Sequence, residues 1–247
     1  MAETEEEAWW DHWNTKFRAT APADWGDPTR TGWLALNEIR HLALSNPALL
    51  EVGCGTGWLS GELTRCSRYV GLDLSSAAID LARKRVPAGQ FVVADFHTWQ
   101  AGAASFDVVV MVDTIAYFRD QDRAVNHAWS LLKPGGYLVL TTVNPFVHSR
   151  MSSTRPPGQG QVRKWLTKDA LHRLLHRNGF NVLRSYTACP SGDKGILRWV
   201  NSRKLNRAVS FLTRGPEHLT LLKERLGLGQ YRVAVARRGT ERGSIAF

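Results

Sequence analysis

The sequence predicts an α/β protein built on a doubly wound, mostly parallel sheet. Three observations carry that expectation. Short apolar runs recur along the chain, at 49–52, 69–74, 91–94, 106–112, after Gly136, at 180–187 and at 231–236. Helical patterns alternate with these runs, as right-handed crossovers between parallel strands require. The first run also passes directly into a glycine-rich turn, Glu51-Val52-Gly53-Cys54-Gly55-Thr56-Gly57, that opens into a helix at Trp58-Leu59.

Each element has a local reason. Residues 30–45 carry Trp33, Leu34, Leu36, Ile39 and Leu42 at helical spacing and stop before Asn46-Pro47. Ser75-Ser76 caps a helix over 77–85, and a further helix runs from Asp120 to Leu132 after the fourth strand. The turn Leu132-Lys133-Pro134-Gly135-Gly136 leads into a fifth strand that ends at Val143-Asn144-Pro145. Residues 146–165, with Arg155-Pro156-Pro157-Gly158-Gln159-Gly160, read as a mobile loop. Thr167 caps a helix over 168–178, Gly179 ends it, and a sixth strand follows. Residues 188–229 form a long excursion of amphipathic, basic helices before the last strand, and 237–247 read as frayed. The expected organisation is an aromatic N-terminal lid helix in 1–29 and one core over 30–247, with 188–229 as a helical cap insertion.

The glycine turn points to a nucleoside. Glycine lets the chain turn tightly and bring its backbone against a ligand, and the N–H groups opening the next helix face the ligand's polar end. A dinucleotide fingerprint would read G-x-G-x-x-G, whereas the third glycine here, Gly57, arrives one residue early. Glu51 puts negative charge where a pyrophosphate would lie and suits an ammonium or sulfonium group instead. The second strand ends in Asp73, placed to accept ribose hydroxyls. The third ends in Asp95-Phe96, a polar and aromatic pair suited to an adenine edge and face. The fourth ends in Asp113.

In order and spacing these motifs resemble the class I S-adenosylmethionine-dependent methyltransferases, over roughly residues 30–190 and a strand near 231. The resemblance implies a Rossmann-like, seven-stranded, mostly parallel sheet with an antiparallel last strand, and S-adenosylmethionine as cofactor, released as S-adenosylhomocysteine. It implies that Gly53, Gly55 and Gly57 line the methionine part, with Cys54 a small residue fitting that loop and Glu51 near the amino group. It puts Asp73 and Leu74 at the ribose, Asp95 and Phe96 at the adenine, and Met111 and Val112 on the sulfonium side. Many relatives have His where this chain has Tyr117.

Composition bounds the remainder. The 247 residues carry a net charge of +10, divided unevenly: 12 Lys+Arg against 17 Asp+Glu in 1–149, but 20 against 5 in 150–247. The basic part fits either a solvated helical face or an acidic partner. Cys54, Cys66 and Cys189 are scattered and suggest neither a disulfide framework nor a zinc site, and no His/Asp cluster has metal-ligand spacing. The acidic start argues against a secretory or mitochondrial leader, no run is long enough to span a membrane, and a cytoplasmic location is expected.

Half of the ten tryptophans fall within the first 33 residues. Trp9, Trp10, Trp13 and Phe17 fit one apolar helix face docked on the core, or a lid whose aromatics wall an acceptor pocket. The 188–229 helices fit an ordinary cap or a peripheral membrane contact. His148, Tyr117 and Asp113 are the candidate bases for an acceptor that must lose a proton. Three other classes remain in view. An RNA methyltransferase suits the basic C-terminal third, but the Asn/Asp-Pro-Pro-aromatic motif of exocyclic-amine enzymes is not at Val112-Asp113-Thr114-Ile115. Glu51 argues against a nicotinamide oxidoreductase. A non-catalytic S-adenosylmethionine-binding subunit would keep the same motifs. The expected activity is methylation, at oxygen first, of a small-molecule or lipid-like acceptor, acidic or not, with oligomeric state undetermined.

Overall fold

A computed structural model describes residues 5–15, 28–65, 67–154, 157, 161–212 and 215–240. Seven strands, β1 (Ala48–Val52), β2 (Arg68–Asp73), β3 (Gln90–Val93), β4 (Phe106–Val112), β5 (Leu132–Val143), β6 (Phe180–Pro190) and β7 (Gly229–Arg238), form one sheet in the order β3-β2-β1-β4-β5-β7-β6. The pairs β1–β2, β1–β4, β2–β3 and β4–β5 are parallel, and β7 runs antiparallel between β5 and β6. The expected doubly wound architecture is therefore present, with its antiparallel last strand.

Helices cover both faces. On one, α2 (Pro28–His41) and α4 (Ser76–Arg85) pack Leu36, Ile39, Ile79 and Ala82 against Leu49, Val108, Val110 and Val139. On the other, α5 (Gln121–Leu131) and α7 (Lys168–Arg177) pack Val125, Ala128, Leu171 and Leu174 against Val109, Leu138, Leu140 and Ala234. The central strands β1 and β4 are buried on both faces and accordingly read as largely apolar runs, broken only by Glu51 and Asp107. Ser75, Asp120 and Thr167 cap α4, α5 and α7, each accepting from a backbone N–H three residues on.

Several boundaries differ from the sequence expectation. α2 stops at His41 rather than 45, because Ala43 and Asn46 take left-handed φ values of 51° and 44° and turn the chain toward β1. The helix after the glycine turn, α3, is only Ser60–Leu63. β5 begins at Leu132, since that residue already pairs with Phe106 of β4, and the ladder resumes at Tyr137 after a register shift between Phe106 and Val108. Within the expected loop, α6 (Pro145–His148) forms a helical turn under an Asn144 cap, and the Arg150 carbonyl accepts from Asp193 and Lys194 N–H. Residues 155, 156 and 158–160 lie outside the described residues, as do 16–27, with Phe17 and Trp25, and 241–247. The excursion contains α8 (Ile196–Val200), α9 (Arg203–Leu212) and α10 (Pro216–Arg225). An N-terminal helix, α1 (Glu5–Trp13), precedes the core.

Candidate active site

In a doubly wound sheet the ligand crevice opens where the strand order reverses, beyond the carboxyl ends of the strands. Here that point is the top of β1, flanked by β2 and β4. The turn after β1 is tied to β2: Gly53 and Cys54 N–H both donate to the Leu72 carbonyl, and Gly55 N–H donates to Asp73 Oδ2 at 2.7 Å.

The three glycines, all with positive φ, serve different ends. A Cβ on Gly53 would lie 2.5 Å from Thr114 Oγ1, and one on Gly57 would lie 3.1 Å from the Ala82 backbone of α4. Those two positions are set by packing against protein. A Cβ on Gly55 would meet nothing within 4 Å, so its missing side chain leaves a cradle beside Asp73. That cradle fits the ribose-to-methionine part of a nucleoside. Asp73 Oδ1 also accepts from Ser75 N–H, and burial raises its pKa against these N–H bonds. Each carboxylate oxygen keeps a lone pair for a ribose hydroxyl.

Glu51 is 3% exposed and accepts from Tyr69 Oη at 2.6 Å and Ser60 Oγ at 3.2 Å. Burial pushes its carboxyl up to about 7, opposed by the two hydroxyl donors and helped by the charge of Asp73. A ligand ammonium nearby would restore the carboxylate. Cys54 is buried and its thiol is pushed well up by burial and by Asp73 and Glu51, which leaves it a small packing residue.

The adenine-side and sulfonium-side positions are less open than their sequence positions suggest. Phe96 is 3% exposed, with its ring against Phe118 and His127, and Met111 is fully buried in the same cluster. Both side chains pack within the core. Asp95 is exposed and turns the chain by accepting from His97 N–H, while Leu74 and Val112 are partly buried.

Beyond β4, Asp113 adopts a φ of 55° and its N–H donates to Thr141. A left-handed φ on a residue with a Cβ is backbone strain, here at the carboxyl end of a central strand. Thr114 Oγ1 donates toward the Val52 and Val112 carbonyls, joining the tops of β1 and β4. Tyr117 ends a single 3-10 turn, Ile115–Tyr117. From there the chain at 164–165 reaches the next candidate: Lys164 N–H donates to the Ala116 carbonyl, and Trp165 lies edge-on to His148 at 4.4 Å. His148 Nδ1 is buried without a hydrogen-bond partner, and burial, then Arg163, lowers the imidazole pKa.

One arrangement was not legible in the sequence. The Asp11 carboxylate of α1 accepts from the Ser75 and Ser76 hydroxyls and from Ala77 N–H, at the start of α4. On the other side Trp10 packs edge-on to Tyr117 at 5.0 Å, and Glu6 pairs with Arg119 at 3.3 Å. α1 thus bridges from the end of β2 to the segment after β4, across the top of β1. Asp11 carries no local motif that announces a contact 64 residues away.

These features make an α/β fold with a glycine turn, Asp73 and the buried Glu51 gathered at the top of its central strands, and comparison with known proteins identifies the family. A family model described as a methyltransferase domain matches residues 34–185. The chain belongs to that family, within the class I S-adenosylmethionine-dependent methyltransferase superfamily. It is 36% identical over 110 residues to phthiotriol/phenolphthiotriol dimycocerosates methyltransferase 1 of Mycobacterium ulcerans, covering 42% of this chain and 41% of that protein. It is 27% identical over 198 residues to the mitochondrial ubiquinone biosynthesis O-methyltransferase of Rattus norvegicus, covering 71% and 56%. The chain thus spans about half the length of these curated relatives. Its fold resembles that of Burkholderia thailandensis 1,6-didemethyltoxoflavin-N1-methyltransferase, solved with S-adenosylhomocysteine, at a TM-score of 0.60 and 16% identity over 97% of this chain and 91% of that one.

Proposed function

We propose that the protein methylates an oxygen of a small, largely apolar or lipid-like acceptor that enters beneath α1. The observation that carries this reading is the bridge made by α1, which sets Trp10 against Tyr117 and stacks Trp9 on Trp13 while Asp11 and Glu6 anchor its two sides. Aromatic walls of this kind accept an apolar body and exclude water from the reacting centre. The relatives' names, which speak of a dimycocerosate and of ubiquinone biosynthesis, support the same class of acceptor.

S-adenosylmethionine supplies a methyl carbon already activated by its sulfonium. The chain's own work is then to hold and align. Asp73 holds the ribose, the Gly55 cradle admits the chain toward the methionine end, and Glu51 balances the ammonium. Asp95 and the Phe96 backbone frame the adenine, while Val112 and Asp113 border the transfer point. Tyr117 and Trp10 wall the acceptor. His148, kept neutral by its surroundings, takes the acceptor's hydroxyl proton at Nδ1. α1 acts as a lid, and helices α8 to α10 form a cap.

Trp199, 73% exposed, and exposed Ile196 and Leu226 stand among Arg198, Arg203 and Lys204 on α8 to α10. They give this cap a peripheral contact with an anionic membrane, from which a lipid acceptor would be drawn. Among the described residues, no helix is long and apolar enough to cross a membrane.

The test incubates the full chain and cofactor separately with a host lipid extract, aqueous metabolites and total RNA, then searches for products heavier by one CH2. A product in the lipid or small-molecule fraction is expected. Methylation of RNA alone, or cofactor binding with no product in any fraction, would overturn the reading.

A further inference from the structure

At the carboxyl end of β5, on the face covered by α7, lies a basic cleft of about 300 Å3 whose walls include no residue of the glycine turn. Asn144, Phe146, Thr167, Lys168, Leu228 and Arg232 line it. Arg232 is 7% exposed, and its Nε has no hydrogen-bond partner. A guanidinium withdrawn from water in this way is costly until an anion completes it, and its planar fork suits carboxylate or phosphate oxygens.

Further features adjoin Arg232 and the cleft wall. Thr142, the cross-strand partner of Arg232 in the β5–β7 ladder, has a buried Oγ1 without a partner. The ten-residue helix α7 begins at the cleft wall, where the Thr167 side chain accepts only from Ala170 N–H. The earlier N–H groups of the first turn have no intrahelical acceptor and face outward with the positive end of the helix dipole. His172, one turn along α7, feels the positive charges of both Lys168 and Arg232, and its Nε2 is also buried without a partner. Asp169 opposes them from the same turn, which favours a single anionic group over a polyanion.

We propose that this cleft binds a carboxylate or phosphate group of the acceptor, with Arg232 as its principal ligand. The proposal rests on the methyl-acceptor reading above. The short helix α6 joins the two places: Pro145 and Phe146 wall the cleft, and His148 ends the same turn. An acceptor with an anionic end and an apolar body would therefore be fixed at one end by Arg232 and present its hydroxyl toward His148.

The test titrates the full chain with inorganic phosphate and, separately, with acetate, at constant ionic strength, reading thermal stability. S-adenosylhomocysteine binding is measured alongside. Saturable stabilisation by one of the two anions is expected, and which one responds distinguishes phosphate from carboxylate. Arg232→Met should weaken it at least about tenfold, the equivalent of one lost charge-assisted contact, with S-adenosylhomocysteine affinity unchanged. Arg232→Lys, which keeps the charge without the fork, should recover part of it and serves if the Met variant fails to fold. No saturable response in the native protein, or an equal response in both variants, would overturn the cleft assignment. Loss of S-adenosylhomocysteine binding by the native protein would instead strike the methyltransferase reading, leaving the anion titration to decide the cleft.

Discussion

Asp11 of α1 accepts the hydroxyl of Ser75, the residue that caps α4 immediately beyond β2. A carboxylate at a helix N-terminus is favoured by the helix dipole and the free N–H groups there. The same contact fastens the N-terminal helix to the rim of the nucleoside crevice. Asp11→Ala should therefore release α1 while leaving the sheet intact. The loss of a cap of this kind is worth about 1 kcal/mol, so amide exchange over residues 5–15 should quicken about fivefold, with a fall in turnover at subsaturating acceptor. Unchanged exchange in that segment would show that the anchor is not Asp11.

The Glu51 carboxyl makes cofactor binding depend on pH. Its folded pKa, about 7, lies above the ordinary value of 4.5, so protonation stabilises the ligand-free fold. That contribution is complete below about pH 4.5 and is lost as pH rises through 7, about 3 kcal/mol over the interval. A cationic amino group favours the ionised form, so S-adenosylhomocysteine affinity should rise between pH 5.5 and 8. Calorimetry across that range checks the slope, and Glu51→Gln should weaken binding and flatten it. A flat profile in the native protein would place the ammonium elsewhere.

Gly53 and Gly55 should fail in different ways. Gly53→Ala drives a methyl group into the Thr114 side chain at 2.5 Å in a left-handed backbone, and the cost should be about 3 kcal/mol, as for other overpacked sites. Gly55→Ala carries only the left-handed strain of about 1–2 kcal/mol, since its Cβ meets nothing. It should fold, yet bind S-adenosylhomocysteine at least tenfold more weakly. Thermal melts paired with calorimetry separate the two. Native affinity in Gly55→Ala would mean that the cradle is not where the ligand lies.

His148→Ala should lower kcat about a hundredfold at saturating cofactor, the low end for removal of a general base, with cofactor affinity unchanged. Because burial and Arg163 lower its pKa, the acid limb of the native rate profile should fall below the ordinary imidazole value of 6.5. Tyr117→Phe keeps the ring against Trp10 and should keep most of the rate. If both variants retain native rates, alignment alone carries the transfer.

The parts of the fold visible in the sequence were those written in local chemistry. Ser75, Asp120 and Thr167 announced helix starts because capping is a contact within three residues. The largely apolar runs of β1 and β4 announced strands, and burial on both faces is why they are so apolar. The glycine turn was legible for the same reason, since positive φ selects glycine at a single position. What the sequence could not resolve was which glycine faces protein and which faces space, because that depends on Thr114 and Ala82 in distant elements. The resemblance put Phe96 at the adenine and Met111 on the sulfonium side, and the structure buries both side chains in the core. Asp11 and Arg232 gave no sign, for their partners lie across the fold.

The most direct measurement is a calorimetric titration of the full chain with S-adenosylhomocysteine, repeated with NADH and with the Asp73→Ala variant. One saturable site per chain is expected, absent for NADH and lost or weakened at least tenfold when Asp73 is removed. No heat with S-adenosylhomocysteine, or comparable uptake of the pyrophosphate-bearing dinucleotide, would contradict a crevice built for a sulfonium nucleoside.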